Sequence, residues 1–96
     1  MNEYFVYILT NYKKSVLYTG VTNDLKRRLS EHKEGLNKAS FTTKYNCYYL
    51  IYWDKFNDVE QAIDREKQIK GWVRIKKEKL INAFNVDWKF LNEEVE

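Results

Sequence analysis

The chain has 96 residues, of which 44% are hydrophobic and 32% charged, with a formal net charge of +3. A chain of this length forms one small domain burying roughly 60–65% of the surface its unfolded form exposes, so nearly every large apolar side chain is needed inside. No apolar run approaches the ~20 residues that span a bilayer, no signal-peptide pattern follows Met1, and the lone Cys47 has no disulfide or metal-ligand partner, so a reducing, cytoplasmic setting is expected.

Taken in chain order, residues 4–9 (YFVYIL) are β-branched and aromatic and predict a strand. The polar turn 11–15 (NYKKS) leads into a second strand over 16–21 (VLYTGV), and the short connection makes the pair an antiparallel hairpin. Thr22 or Asn23 caps a helix, with Asp24 in its first turn, that runs to about Glu34 and stops at Gly35. Residues 37–44 (NKASFTTK) read as a polar loop, and 48–53 (YYLIYW) as a central strand. Asn57 or Asp58 caps a second helix that ends at Gly71, and a third helix follows from about Val73 to Phe84. The segment 85–91 adds a short turn or helix. The expected architecture is α+β: a small antiparallel three-stranded sheet flanked by helices, in the order β-β-α-β-α-α. It occupies residues 1–91 and leaves 92–96 as a frayed acidic tail.

Charge is unevenly spread. Arg65, Lys67, Lys70, Arg74, Lys76, Lys77 and Lys79 face only Glu66 and Glu78 between residues 65 and 79, whereas acids dominate from Asp87 onward. Such a stretch is either a solvated helix face or a phosphate-facing surface.

Three places depart from a simple core pattern. In the second helix the apolar stripe reads Val59, Ala62, Ile63, then Glu66, then Ile69, so Glu66 takes a position that the 3.6-residue period assigns to the buried face. A carboxylate there is paired, with Lys70 one turn on as the available partner, or it holds a hard cation. In the first helix Leu25, Leu29 and Leu36 mark the inward face, and Arg28 and His32 stand one turn apart beside it. Together they could hold a phosphate. In the hairpin, a turn centred near Tyr12 and Lys13 sets Tyr7 opposite Tyr18. Gly20, inside a strand, marks a close approach of backbone or ligand.

These residues resemble a known pattern. Tyr18-Thr19-Gly20 looks like the second half of the GIY-YIG nuclease signature, and Phe5-Val6-Tyr7 stands where the first half belongs. Arg28 and His32 follow at the family spacing, and Glu66, within Arg65-Glu66-Lys67, matches the family's metal-binding glutamate. The segments VYIL, YTGVTNDLKRRLSEHKEG, SFTTKY and REKQIKGWVRIKKEKLI resemble a small single-domain bacterial subfamily, and the likeness spans roughly residues 4 to 91.

The resemblance implies a metal-dependent endonuclease that hydrolyses phosphodiester bonds in DNA, structure-selective or nonspecific, with a role in repair or recombination. The alternative is a nucleic-acid-binding module of the same fold that is inactive alone or needs a partner. In the nuclease, Tyr7 or Tyr18 would deprotonate the attacking water and Arg28 would stabilise the transition state. His32 would orient a tyrosine or relay a proton, and Glu66 would hold one Mg²⁺ or Mn²⁺ ion. Gly20 and a late asparagine, Asn85 with Asn82 as its rival, would support the site. Three departures stand out: the first signature glycine is absent, Val21 stands where some members carry a basic residue, and no second DNA-binding domain fits in this length. DNA, with RNA as the other candidate, would then be bound weakly and salt-sensitively through Lys26, Arg27, Lys44, Lys67, Lys70, Arg74, Lys76 and Lys77, with a protein partner supplying targeting.

Overall fold

The computed structural model describes residues 2–34 and 41–95. The stop signal Gly35, the third inward leucine Leu36 and residues 37–40 of the expected loop lie outside them. Its elements are β1 (Tyr4–Thr10), β2 (Leu17–Thr22), α1 (Leu25–Glu34), α2 (Phe41–Tyr45), β3 (Tyr49–Phe56), α3 (Val59–Lys70), α4 (Arg74–Phe84) and α5 (Asn92–Val95). The fold is α+β, an antiparallel three-stranded sheet in the order β2-β1-β3 with helices on both faces.

Strand alternation divides the interior in two. Val6 and Ile8 of β1 face α3 and α4, where they pack with Ile51, Tyr52, Ala62, Ile69 and Ile81. Tyr7 and Leu9 point the other way and join Leu25, Leu29, Cys47, Leu50 and Leu91. Because β1 is covered on both sides, its sequence is a continuous apolar run rather than an alternating one.

The expected central strand 48–53 is instead an edge strand. Its β-rich composition reflects burial on both faces rather than two strand neighbours: the ring of Phe84 on α4 lies 5.2 Å from Tyr52 and 6.1 Å from Trp53, side chains that belong to opposite layers. Phe84 therefore wraps the free edge of β3.

The hairpin register differs from expectation by two residues. Tyr7 pairs with Gly20, and Leu9 pairs with Tyr18. The cause is the Asn11 side chain, whose Oδ1 accepts the backbone N–H groups of Ser15 at 2.8 Å and Val16 at 3.2 Å. Lys14 takes a left-handed φ of 60°, so the turn centres one residue later. The shift preserves parity, and Tyr7 and Tyr18 still share a face, diagonally, with ring centroids 6.3 Å apart.

Asp58 caps α3, its side chain accepting from the Gln61 N–H at 3.2 Å, and the helix ends at Gly71 as expected. The α3 stripe is narrower than its pattern suggests: Ala62 and Ile69 are buried, but Val59 and Ile63 are 41% and 36% exposed. Small Ala62 lets the helix lie close over β1 and β2, which turns the two outer members of the stripe to solvent.

Two further expectations change. Residues 41–44 of the expected polar loop, together with Tyr45, form the short helix α2. Residues 92–95, expected to fray, make a helical turn against α1. Asn92 accepts the Leu50 N–H at 2.9 Å and donates to the Tyr48 carbonyl at 2.8 Å, which stitches this segment to the start of β3.

Candidate active site

The polar side chains on the α1 side of the sheet form a connected chain. β1 delivers Tyr7 there, and Gly20 directly opposite makes room for its phenol: a Cβ on Gly20 would stand 2.5 Å from both Cζ and Oη of Tyr7. The close approach expected at Gly20 is therefore to a side chain of the same sheet. Tyr7 Oη lies 3.0 Å from Nε2 of His32, and Nδ1 of His32 lies 2.9 Å from Oγ1 of Thr42 on α2. Tyr7, His32 and Thr42 are all nearly inaccessible, at 1%, 5% and 2% exposure.

Arg28 closes the chain toward solvent. Its Nε donates to Tyr7 Oη at 3.4 Å and its Nη1 to Glu31 Oε1 at 3.1 Å, while its side chain stays 39% exposed. Tyr18 is half-buried beside them, its ring centroid 5.6 Å from that of His32. Helical spacing puts Arg28, Glu31 and His32 on adjoining positions of one α1 face, with Leu25 and Leu29 anchoring the helix below.

Burial sets the protonation states. It pushes the Tyr7 phenol up to about 12, against the partly offsetting hydrogen bond from Arg28. Burial, reinforced by the Arg28 charge, pushes the His32 imidazole down to about 4, so it is neutral at pH 7. For Arg28 burial opposes the charge, but its hydrogen bonds to Tyr7 and Glu31 more than offset it and raise its affinity for the proton. The site at neutral pH is therefore one fixed guanidinium backed by a neutral phenol and a neutral imidazole. Burial also pushes the Cys47 thiol up to about 11, which leaves it an inert core residue.

Glu66 is not part of this chain. It sits on α3, which packs across β1 and β2 on the opposite face, and its carboxylate pairs with Lys70 at 2.7 Å with only 12% of the side chain exposed. The position expected to be inward is thus largely buried, and the ion pair offered by the sequence is present. The two sides are separated by β2, an open edge of the sheet. Its Thr19 faces the α3 side with a buried hydroxyl that has no hydrogen-bond partner among the described residues.

Asn85 makes its hydrogen bonds to neither group. It caps the C-terminus of α4, donates to the carbonyls of Ile51 and Lys89 and accepts the Lys89 N–H, which fixes the 85–89 turn against β3. Its rival Asn82 accepts from the Trp88 indole. The structure brings neither to the Tyr7–His32 group.

The basic residues differ in what already engages them. Arg74 is a clamp, donating to the carbonyls of Ser15 and Lys14 and to Glu78, so it ties α4 to the hairpin turn. Lys70 is held by Glu66, Lys76 lies 4.6 Å over the Trp72 ring, and Lys44 lies 5.4 Å over Tyr45. Arg27 reaches Glu31 at 3.8 Å and Asn23 at 3.1 Å. Lys26, Lys67 and Lys77 carry no ion pair among the described residues; Lys26 and Lys67 are exposed and Lys77 is half-buried.

Two residues beyond those expected from the sequence join this group, Glu31 and Thr42. Glu31 was visible at three residues from Arg28, a standard helical ion-pair spacing. Thr42 lies in a segment without periodicity, and its only signal was membership of SFTTKY.

The GIY-YIG catalytic domain model matches residues 3–79, and the chain belongs to that family. It is similar to a UPF0213 protein of Haloquadratum walsbyi, 38% identical over 81 residues that cover 83% of this chain and 89% of that one. A UPF0213 protein of Staphylococcus saprophyticus is 34% identical over 82 residues, covering 85% and 98%. Among solved structures, the solution NMR structure of a UPF0213 protein from Bacillus halodurans matches with a TM-score of 0.54 and 33% identity, covering 84% of each chain. Among the described residues, no helix is long and apolar enough to cross a membrane.

Proposed function

We propose that this chain is a metal-dependent endonuclease that hydrolyses phosphodiester bonds in DNA. The observation that carries this reading is Arg28, a guanidinium held from behind by Tyr7 and from the side by Glu31 while part of it remains open to solvent. A fixed cation of this kind costs no reorganisation when charge builds on a phosphoryl group.

The roles follow from accessibility. Tyr18 is the half-buried phenol, so it is the one that meets the attacking water. It accepts a hydrogen bond from that water and passes a proton to solvent as the new oxygen–phosphorus bond forms. Tyr7 is too buried to touch substrate, and it holds Arg28 through its oxygen, with His32 behind it. Arg28 binds the non-bridging oxygens, and the leaving oxygen takes a proton from solvent as its bond to phosphorus breaks.

Glu66 fits a hard divalent cation. Among the described residues no three His, Cys, Asp or Glu side chains cluster, which does not suit zinc but does suit Mg²⁺ or Mn²⁺ bound by one carboxylate, with water and substrate completing the shell. The carboxylate already faces one cation, the Lys70 ammonium at 2.7 Å, which a metal ion would displace. When bound, the ion would supply charge stabilisation at the leaving oxygen. The backbone on either side of the cut would lie against exposed Lys26 and Lys67, giving binding that weakens steeply with salt.

The Glu66–Lys70 pair also favours a second reading, in which the carboxylate is purely structural and the chain is a nucleic-acid-binding module that needs a partner. Incubation of the protein with labelled single-stranded, duplex, flap and branched DNA, with and without Mg²⁺ or Mn²⁺, separates the two. The nuclease reading expects metal-dependent cleavage that is much slower in a folded Glu66→Ala variant. Salt-dependent binding by both proteins with no cleavage would establish the binding module.

A further inference from the structure

The Tyr7–His32–Thr42 chain contains a proton-ordering problem with one solution among the described residues. Tyr7 Oη has two partners there, Arg28 and His32. Arg28 has no acceptor, so its N–H must donate to the Tyr7 oxygen. The phenol is 1% exposed, and its own O–H must donate to something or be left buried and unpaired. Nε2 of His32 is the acceptor available at 3.0 Å. A neutral imidazole that accepts at Nε2 carries its proton at Nδ1, and 2.9 Å from Nδ1 stands the Thr42 hydroxyl.

We propose that Thr42 is a positioning residue of this site, its hydroxyl taking the Nδ1 proton of His32 and so leaving Nε2 to accept from Tyr7. The order of donation then runs in one direction on each side of the phenol: Tyr7 gives its proton to His32, His32 gives its own to Thr42, and the Tyr7 lone pair stays turned toward Arg28. The opposite tautomer sets an N–H of His32 against the Tyr7 hydroxyl. It competes with Arg28 for the same oxygen and loosens the guanidinium. Thr42 acts only through this chain and touches no substrate. The short helix α2 exists in this account to bring one hydroxyl to the back of the imidazole.

The consequence for rate rests on the nuclease reading above, whereas the tautomer does not, so the two can fail separately. The test is the long-range ¹H–¹⁵N spectrum of the His32 ring in the full chain at pH 7, recorded with cleavage kinetics for the wild type, Thr42→Val and Thr42→Ser. Amide dispersion reports whether each variant is folded, and Thr42→Ala replaces Thr42→Val should the valine prove too crowded. The wild type is expected to show a protonated Nδ1 and an unprotonated Nε2. Thr42→Val should lose that pattern, and its kcat should fall about tenfold with KM unchanged, the worth of one orienting hydrogen bond. Thr42→Ser should restore both readouts. An unchanged His32 spectrum in folded Thr42→Val, or a serine variant that restores neither readout, would overturn the proposal. A wild type that cleaves nothing, but whose tautomer shifts in Thr42→Val, would overturn the nuclease reading and leave the role of Thr42 standing.

Discussion

The two faces of the sheet handle polar groups in opposite ways. On the α1 side, buried hydroxyls and an imidazole are linked one to the next, from Thr42 through His32 and Tyr7 to a guanidinium that reaches solvent. On the α3 side the buried Thr19 hydroxyl has no partner among the described residues, and the largely buried carboxylate of Glu66 is neutralised locally by a lysine on the same helix. A buried network specifies geometry when every member is satisfied, whereas an i,i+4 ion pair only lowers the cost of burying a charge. The α1 side is thus a connected, pre-formed network, whereas the α3 side neutralises its carboxylate with a single local ion pair.

The largest effect is expected from Arg28→Ala, which removes the solvent-facing end of the network. Cleavage should fall on the order of 10²–10³-fold in single-turnover kinetics while the fold is retained. Loss of folding instead would make Arg28 part of the structural network alone.

The pH dependence of stability comes next. The folded-state pKa of His32 lies below its usual value of 6.5, at about 4, chiefly through burial. Between those values the unfolded chain binds the extra proton, so stability is fully present above about pH 6.5 and is lost as the pH falls toward 4. Urea melts of the wild type should lose roughly 3 kcal/mol more over that interval than those of His32→Gln, a difference that cancels the carboxylates common to both. Parallel pH profiles for the two proteins would show that His32 is not buried as a neutral ring.

The smallest effect is expected on the α3 side. Thr19→Val removes a buried hydroxyl without a partner, so thermal unfolding should show a change between zero and about 1 kcal/mol of stabilisation. A loss of more than that would reveal that the hydroxyl is satisfied in solution.

Much of this arrangement was legible in the residues. Glu66 stood out because it interrupts a helical stripe, Gly20 because glycine is out of place in a strand, and Arg28 with His32 because helical spacing puts them together. Each is a local departure from a periodic pattern. What escaped was set by side chains acting across the chain. Asn11 captures two backbone N–H groups and so moves the hairpin register, which no strand propensity reports. β3 carries the composition of a central strand because both of its faces are buried, one in each layer of the core. Thr42 belongs to the site through an imidazole ten residues earlier, and a threonine in a polar segment gives no sign of that. The asparagine sought near the site went to Asn85, where it serves the 85–89 turn instead.

Arg28 and Glu66 stand on opposite faces of the sheet, on either side of the edge strand β2, and the proposed nuclease needs both to serve one phosphodiester. A double-mutant cycle would compare metal-dependent cleavage rates of Arg28→Ala, Glu66→Ala and the double variant with the wild type. Residues that serve one transition state are strongly non-additive, so the double variant should be little slower than the slower single one. Losses that multiply in full would contradict the account, because Arg28 and Glu66 would then contribute independently.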